Sequence, residues 1–543
     1  MLLQIIIIVL LTFLSLITNF PQLIHCAIDE PVLVKLSNNK YNNNNNIIVG
    51  KKQQFLGKDV NVFLGIPYAR APVGELRFKK PVPIVDDDNN LNTSSHTTIR
   101  NASQMPSPCV NYIQGSLDEM PWSSRQPGSE DCLYLNIWSP DITAAQTGLH
   151  SPPQRSVMVW IYGGAFQTGS IDIDAYDGQA LATVGDVVVV TFNYRTGVFG
   201  LFYDGSGTDE APGNLPVHDQ RLALSWIQKN IDRFGGDPQS VTLFGESAGS
   251  ISIGLHLLSV DSGQLFKRAI LQSGSPYHNI GGVSPELAVR QSRRIAADAN
   301  CLRKDDDHTI DLNCMRQLTV DQLMDVYTDI YTKGIALQLV YGDDDNNKLL
   351  PRHPIELLDN YQMVSDHRQH WEVLLGTNRN EGASILFMGV PELFARHSPI
   401  NMTKAEAIEF IRASAVNWWL DVLTDRQLHE IIDYYMSTID NEDDYPMVRQ
   451  SLANIVGDSM FNCPSLFMAD QLSKAGGVSV WYYHFSHIKQ FDNHWGQWMG
   501  SPHFDEVQYV FGLPLRYPDR YTPVELQLSI NMMKSWSSFA SNG

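Results

Sequence analysis

The chain has 543 residues, of which 43% are hydrophobic and 18% are charged. This apolar content is enough for a large buried core, which excludes a globally disordered chain. The 39 Lys and Arg residues against 59 Asp and Glu residues give a formal charge of −20, and this balance argues against a nucleic-acid partner, because such proteins present a basic face.

The N-terminus carries an apolar run at residues 2–20. It has the character of a secretory signal, and we expect residues 1–26 to be removed by cleavage near Cys26 and Ala27. A membrane anchor is the alternative, because about 20 apolar residues can span a bilayer, but no Lys or Arg flanks the run to fix it there. No second apolar stretch of that length follows, so we expect no membrane span in the mature region, residues 27–543.

Secretion would permit disulfides and glycans. Without Cys26, the remaining cysteines form two local pairs that each close a short loop, and one residue is left single: Cys109 with Cys132, Cys301 with Cys314, and Cys463. Glycosylation is predicted at three N-x-S/T triplets: Asn92, Asn101 and Asn401.

Short buried-strand patterns recur between helical patterns along the chain. The five strand patterns are 157–161 (VMVWI), 187–192 (VVVVTF), 241–244 (VTLF), 269–271 (AIL) and 373–375 (VLL). Runs that are apolar on both faces favour a parallel sheet covered by helices. Residues 219–236 predict a helix that ends at Gly235 and Gly236, and residues 385–475 predict a helical subdomain or lid. The alternation indicates an α/β fold with a mostly parallel central sheet and helices on both faces.

A G-x-S-x-G sequence, Gly245 to Gly249, lies between the 241–244 strand pattern and an apolar helical run. This context predicts a sharp strand-to-helix turn that exposes Ser247 at a helix N-terminus, where the dipole favours developing negative charge. Small residues are needed beside Ser247, because larger side chains would clash in the turn. An ordinary glycine-rich turn is the alternative interpretation.

A serine hydroxyl needs a base, an orienting acid and an oxyanion hole to act as a nucleophile. Gly163, Gly164 and Ala165 follow the 157–161 strand pattern, and such a turn can aim backbone N–H groups at an oxyanion. The N–H group of Ala248 would add a further donor.

Longer motifs extend over most of the chain. They include EDCLYLNIW (130–138), WIYGGAF (160–166), FNYRTGVFG (192–200), DQRLALSWIQKNI (219–231), VTLFGESAG (241–249), QSGSP (272–276), GTNRNEG (376–382) and MGSPHFDEVQYVFGLPL (499–515). With these motifs the chain resembles the type-B carboxylesterase/cholinesterase family over roughly residues 30–543. The resemblance implies one α/β-hydrolase domain, ester hydrolysis and a small-molecule ester as substrate.

The resemblance also assigns the site. It implies that Ser247 is the nucleophile, His503 the base and Glu381 the acid, in the chain order usual for α/β-hydrolases. The oxyanion donors would be Gly164, Ala165 and Ala248; many relatives have a third glycine where Ala165 stands, and its methyl would narrow the site. No cofactor is implied, and the nearby histidines lack a frame of Cys or carboxylate ligands, so no metal site is predicted.

The resemblance implies a choline pocket at Trp122, Glu246 and Tyr176, because a Trp face attracts a quaternary ammonium. Packing within the Cys109–Cys132 loop is the alternative role for Trp122. Ser384 and Ile385 stand where cholinesterases place an aromatic residue. Three hypotheses therefore stay open: a secreted carboxylesterase, a cholinesterase-like enzyme and a non-catalytic adhesion protein.

The family's first two disulfides fall on the two local pairs, and its third joins Cys463 to a cysteine near the C-terminus. The chain stops at Gly543, where relatives usually continue. The resemblance therefore implies that a C-terminal segment is missing, and it allows a homodimer.

Overall fold

A computed structural model describes most of the chain. The described residues are 31–36, 46–84, 98–111, 124, 126–140, 142, 154–259, 261–278, 280–306, 308–342, 350–359, 370–418, 423–475, 477–491 and 493–543. The predicted signal peptide, the triplet at Asn92 and the aromatic residue Trp122 lie outside these ranges.

The described strands form one mixed sheet. Their bounds are β1 Pro31–Lys35, β2 Ile47–Phe55, β3 Lys58–Pro67, β4 Ile99–Asn101, β5 Tyr134–Pro140, β6 Arg155–Ile161, β7 Val188–Phe192, β8 Gly236–Glu246, β9 Arg268–Gln272, β10 Trp371–Asn378 and β11 Val478–Phe485. The strand order is β1-β2-β3-β5-β7-β6-β8-β9-β10-β11, and β4 pairs with β2. From β7 to β11 all neighbours are parallel, whereas β1, β2, β3, β5 and β7 pair antiparallel in that order.

Helices connect and surround these strands. Among the described residues they are α1 Gln179–Gly185, α2 Gly197–Leu201, α3 Leu215–Asn230, α4 Ala248–Leu258, α5 Pro285–Asp298, α6 Leu312–Gln317, α7 Val320–Thr332, α8 Pro354–Asp359, α9 Gly382–Gly389, α10 Lys404–Trp418, α11 Asp425–Met436, α12 Tyr445–Gly457, α13 Cys463–Lys474, α14 Val507–Val510, α15 Leu513–Arg516 and α16 Pro523–Asn542. Helix α4 packs on β6, β8 and β9, and α16 packs on β6 and β8. None of the helices in the described ranges is long and apolar enough to cross a membrane.

The predicted strands are confirmed, because the five apolar runs coincide with β6, β7, β8, β9 and β10, and only Val187 of the second run lies outside its strand. The predicted 219–236 helix differs at both ends. It begins earlier, at Leu215 with Pro216 in its first turn, and its last turn is a 3₁₀ turn, Ile231–Phe234. Gly235 ends the turn in a left-handed conformation, with φ of 81°, and Gly236 already opens β8.

The 385–475 region is helical as predicted. Helices α9 to α13 occupy it, and α13 packs on β10 and on the edge strand β11. A π-helical turn, Asp458–Asn462, joins α12 to α13 without a break in the helix.

Both predicted disulfides are present, joining Cys109 to Cys132 and Cys301 to Cys314. Cys463 is exposed and is a free cysteine. The triplet residues Asn101 and Asn401 are exposed, and glycosylation there stays a prediction.

A buried ion pair ties the segment after β7 to helix α3. The guanidinium of Arg195 donates to both carboxylate oxygens of Asp219, at 2.7 and 2.8 Å, and to the carbonyl of Lys79 at 2.8 Å. Asp219 is 0% exposed. Two buried charges stabilise a fold only as a pair, because either one alone would keep its desolvation cost without compensation.

We therefore expect Asp219→Asn to lower the free energy of unfolding by about 3–5 kcal/mol. Asn keeps the shape but leaves the Arg195 charge uncompensated. The measurement is the urea unfolding curve. Asp298→Asn is the matched control, because Asp298 pairs with Arg294 on an exposed helix surface and should cost less than about 0.5 kcal/mol. Equal effects of the two substitutions would contradict the expectation.

Candidate active site

Ser247 occupies a strained turn between β8 and α4. Its φ of 56° and ψ of −123° are rare for a residue with a side chain. Its N–H group donates to the carbonyl of Gln272 at 2.9 Å, and its carbonyl accepts from the N–H of Ile251 at 2.9 Å. Ser247 is partly exposed, whereas its neighbours on both sides are buried. The turn therefore presents one hydroxyl to the site and hides the residues around it.

Glycine is required around this turn because the end of strand β6 packs against it. A Cβ on Gly249 would lie 1.9 Å from the carbonyl oxygen of Ile161, and one on Gly245 would lie 2.5 Å from the same oxygen. A Cβ on Gly163 would lie 2.8 Å from the Cβ of Ser247. The loop that follows β6 therefore runs directly beside the predicted nucleophile.

This loop has an unusual backbone. Gly164, Ala165 and Phe166 have φ values of 108°, 54° and 61°. Hydrogen bonds hold the loop in this conformation, from Gln167 N to Gly164 O at 2.9 Å and from Gly197 N to Phe166 O at 2.7 Å.

The loop and the first turn of α4 leave backbone donors unused. Within the described part of the chain, the N–H groups of Gly164, Ala165 and Ala248 donate to no protein acceptor. Ala248 is the first residue of α4, where N–H groups have no partner inside the helix. Ala165 is exposed, unlike the residues that follow it in the loop.

Glu381 and His503 are in contact. The Nδ1 atom of His503 lies 2.7 Å from Glu381 Oε2. The other oxygen, Oε1, accepts from the hydroxyl of Ser273 at 2.5 Å and from the N–H of Asn378 at 2.6 Å. With both oxygens occupied, the carboxylate cannot rotate freely, and it fixes one edge of the imidazole.

The segments that carry Glu381 and His503 are joined to each other. Asn378 Nδ2 donates to the carbonyl of Pro502 at 2.8 Å. The N–H of Asn380 donates to the carbonyl of Ser501 at 3.0 Å, and the Asn380 side chain accepts from the N–H of Ser501 at 3.1 Å. The loop after β10 therefore positions a histidine that is more than 120 residues away in sequence.

The second nitrogen of His503 faces another carboxylate. Nε2 lies 2.9 Å from Glu246 Oε1, but no donor among the described residues is aligned with that oxygen. The contact is therefore electrostatic rather than a well-formed hydrogen bond. Ser247 Oγ makes no hydrogen bond to His503 or to any other described residue.

Burial and charge act in opposite directions on the imidazole. Burial lowers the pKa of His503, but Glu246 and Glu381 outweigh it and raise that pKa above its usual value. Burial has the opposite effect on a carboxyl, and it raises the pKa of Glu246.

A third carboxyl, Glu506, lies close by and is 0% exposed. It accepts from Gln272 Nε2 at 3.0 Å and from Asn378 Nδ2 at 2.6 Å. Burial, with Glu246 and Glu381, raises its pKa to about 8. Among the described residues, no group of His, Cys, Asp and Glu side chains is arranged to hold a metal ion.

The residues predicted for a choline pocket have different surroundings. Tyr176 is 1% exposed, and its ring packs against Trp160 and Phe504 with centroids 5.1 and 6.1 Å apart. Glu246 contacts His503, as described above. The prediction for Trp122 concerns a residue outside the described ranges.

Several residues of the site were not predicted from sequence. Ser273, Asn378 and Glu506 lie inside the motifs QSGSP, GTNRNEG and MGSPHFDEVQYVFGLPL, so the signal was their place in those segments. Phe461 stacks on His503 with ring centroids 4.1 Å apart, and no motif pointed to it.

Comparison with known proteins shows what the whole chain is similar to. The sequence model of the carboxylesterase family matches residues 38–543. The chain is 36% identical over 484 residues to an acetylcholinesterase of Bungarus fasciatus, covering 89% of this chain and 75% of that protein. It is 34% identical over 488 residues to acetylcholinesterase-1 of Trittame loki, covering 88% and 82%. It is 34% identical over 501 residues to a cholinesterase of Mus musculus, covering 91% and 77%.

The charge on Glu246 should be visible in the pH dependence of turnover. A carboxylate beside Nε2 stabilises the imidazolium, so its removal lowers the pKa of His503. We expect Glu246→Gln to move the acidic limb of the kcat/KM profile to lower pH by about one unit.

The matched control is Glu506→Gln. Glu506 accepts hydrogen bonds from Gln272 and Asn378 and not from the imidazole, so its substitution should leave the position of that limb nearly unchanged. A shift of the Glu246→Gln limb to higher pH, or no shift, would contradict the expectation.

Proposed function

Because the chain belongs to the carboxylesterase family and is a carboxylic ester hydrolase of the serine-hydrolase type, we propose that it acts through an acyl-enzyme on Ser247. The observation that carries this proposal is the arrangement around the strained turn. It exposes one serine beside unused N–H donors, and the preceding residue, Glu246, contacts an imidazole that Glu381 holds at 2.7 Å.

In this mechanism, His503 takes the proton of Ser247 Oγ as the oxygen attacks the ester carbonyl. The resting contact between Nε2 and Glu246 gives way to one with Oγ, in keeping with the loose geometry usual in free active sites. Glu381 holds the tautomer and stabilises the imidazolium, and the N–H groups of Gly164, Ala165 and Ala248 bind the oxyanion. The alcohol leaves with a proton from His503, and water then releases the acyl group.

The test is Ser247→Ala. We expect kcat for 4-nitrophenyl acetate to fall by more than about 10⁴-fold, because the nucleophile is lost. A fluorophosphonate probe should label Ser247 of the wild-type protein, as found by peptide mass spectrometry.

Ser250→Ala is the matched control for this test. Ser250 lies in the same helix and donates to the carbonyl of Gly274 at 2.6 Å, so its loss should leave labelling at Ser247 intact. Turnover that survives Ser247→Ala would contradict the acyl-enzyme. Absence of turnover and labelling in the wild-type protein would favour the adhesion hypothesis.

We propose neutral or mixed carboxylic esters as the main substrate class, with choline esters as the second candidate. The second candidate is supported by the names of the relatives, which are cholinesterases, and by the buried carboxyl of Glu246 beside the reacting histidine. The formal charge of −20 would also attract a cationic ester.

The two classes can be separated with acetylthiocholine and its uncharged 3,3-dimethylbutyl isostere. A choline site predicts a higher kcat/KM for the cation, and Trp122→Ala should reduce that preference by roughly tenfold, because a cation–π contact is lost. The measurement is kcat/KM for both esters, with and without the substitution. Equal values for the two esters would support the general carboxylesterase and contradict the choline site.

We also propose that the protein enters the secretory route. The two disulfides support this, because such bonds form and persist in oxidising compartments. Cleavage of residues 1–26, a single domain over 27–543 and a homodimer stay predictions.

A further inference from the structure

Phe461 covers one face of the His503 imidazole. The ring centroids are 4.1 Å apart, the planes are inclined by 29°, and Phe461 is 3% exposed. The two carboxylates approach the same imidazole at its ring nitrogens, Glu381 at Nδ1 and Glu246 at Nε2. Carboxylates therefore contact the edge of the ring, and an aromatic ring covers a face.

A rare backbone feature places Phe461 there. It lies in the π-helical turn Asp458–Asn462 between α12 and α13. Turns of this kind appear mostly as single insertions in α-helices, frequently at functional sites. The Asp458 carboxylate stabilises this turn by accepting from Tyr435 of α11 at 2.7 Å and from Asn462 Nδ2 at 2.7 Å. The position of Phe461 is therefore built into the helix rather than left to a mobile loop.

A second histidine packs on Phe461 and is held neutral. The ring of His278 lies 5.4 Å from that of Phe461. His278 Nδ1 accepts a hydrogen bond from the N–H of Ile280 at 3.1 Å, so this nitrogen carries no proton. Burial, and then the charge of His503, lower the pKa of His278 to about 3. Of the two imidazoles that contact Phe461, only His503 can become charged.

We propose that Phe461 is a positioning residue for ester hydrolysis, and that its π face stabilises the imidazolium form of His503. This inference rests on the proposed function and adds a group to it. A positive ring above an aromatic face is attracted by the negative potential of that face, most strongly where water is excluded. The stacking also limits rotation of the imidazole between Glu246 and Ser247.

Among the described residues, the charged and imidazole groups near His503 are carboxyls and one neutral imidazole. They are Glu246 at the end of β8, His278 after β9, Glu381 after β10 and Glu506 in the segment of His503 itself, and Asp458 lies in the turn of Phe461. Phe461→Leu changes none of these charges. A shift in the titration of His503 in that variant would therefore report the aromatic face.

The experiment compares Phe461→Leu with Phe461→Tyr in kcat and KM for 4-nitrophenyl acetate across pH. Loss of the π face lowers the pKa of His503, so the acidic limb of kcat/KM should move to lower pH by roughly half a unit to one unit. The plateau of kcat should fall roughly three- to tenfold, with KM nearly unchanged, because the imidazolium forms in the transition state. Phe461→Tyr keeps the aromatic face, so the acidic limb of kcat/KM and the plateau of kcat should stay at their wild-type values.

Phe394→Leu is the matched control. Phe394 is equally buried and packs on Phe410 and Trp498, and no histidine ring of the described residues stacks on it. It should change neither the limb nor the KM. If Phe461→Leu does not fold, as judged by circular dichroism, Phe461→Met takes its place.

The titration of His503 followed by imidazole ¹⁵N NMR gives a readout that needs no turnover. A lower pKa in Phe461→Leu supports the inference even if the acyl-enzyme proposal fails, and Ser247→Ala run in parallel decides that proposal separately. If the kcat plateau of Phe461→Leu falls but the pKa of His503 does not move, Phe461 has only a packing role and the inference is overturned. An unchanged profile, or a pKa that rises, would also overturn it.

Discussion

The site depends on the close packing of the nucleophile turn against the end of the neighbouring strand. Strands β6 and β8 are adjacent and parallel, so their carboxyl ends reach the same edge of the sheet. The carbonyl of Ile161 leaves no room for a side chain on Gly245 or Gly249. This contact holds Ser247 in a rare conformation, and it brings the donor loop that follows β6 beside the hydroxyl. The strain of the turn is offset by the many backbone contacts of the parallel sheet.

The charges of the site are balanced by burial as well as by pairing. Glu246 and Glu381 contact a single imidazole, and Glu506 is buried close to both carboxyls. Three ionised carboxylates with one imidazolium would carry net negative charge, which is costly where water is excluded. The raised pKa of Glu506 reduces this cost, because a carboxyl with a pKa of about 8 is mostly protonated at pH 7. Glu381 keeps both oxygens occupied, and this suits it to orient His503.

The elements that could be predicted from sequence are those with a simple local pattern. The parallel strands β6 to β10 were predicted because each contains a short apolar run that is buried on both faces. The antiparallel strands β2 and β3 and the edge strand β11 were not predicted. They mix polar and apolar residues, since part of their surface faces water, and β11 leaves Trp481 and Tyr482 partly exposed. The helix predicted over 219–236 is α3 only as far as Asn230; a 3₁₀ turn follows to Phe234, Gly235 ends that turn and Gly236 starts a strand.

The sequence by itself determined the family, the order of the predicted nucleophile, acid and base, and the paired cysteines, because each is written in a local motif with fixed spacing. Only the tertiary structure decided that Glu246 contacts the imidazole, that Glu506 is a buried carboxyl with a raised pKa and that Phe461 covers the face of His503. These depend on residues from separate strands and helices meeting in one buried volume. The pKa of a buried group and the ring that an aromatic side chain contacts depend on which residues pack around them, and the spacing of residues along the chain does not specify this.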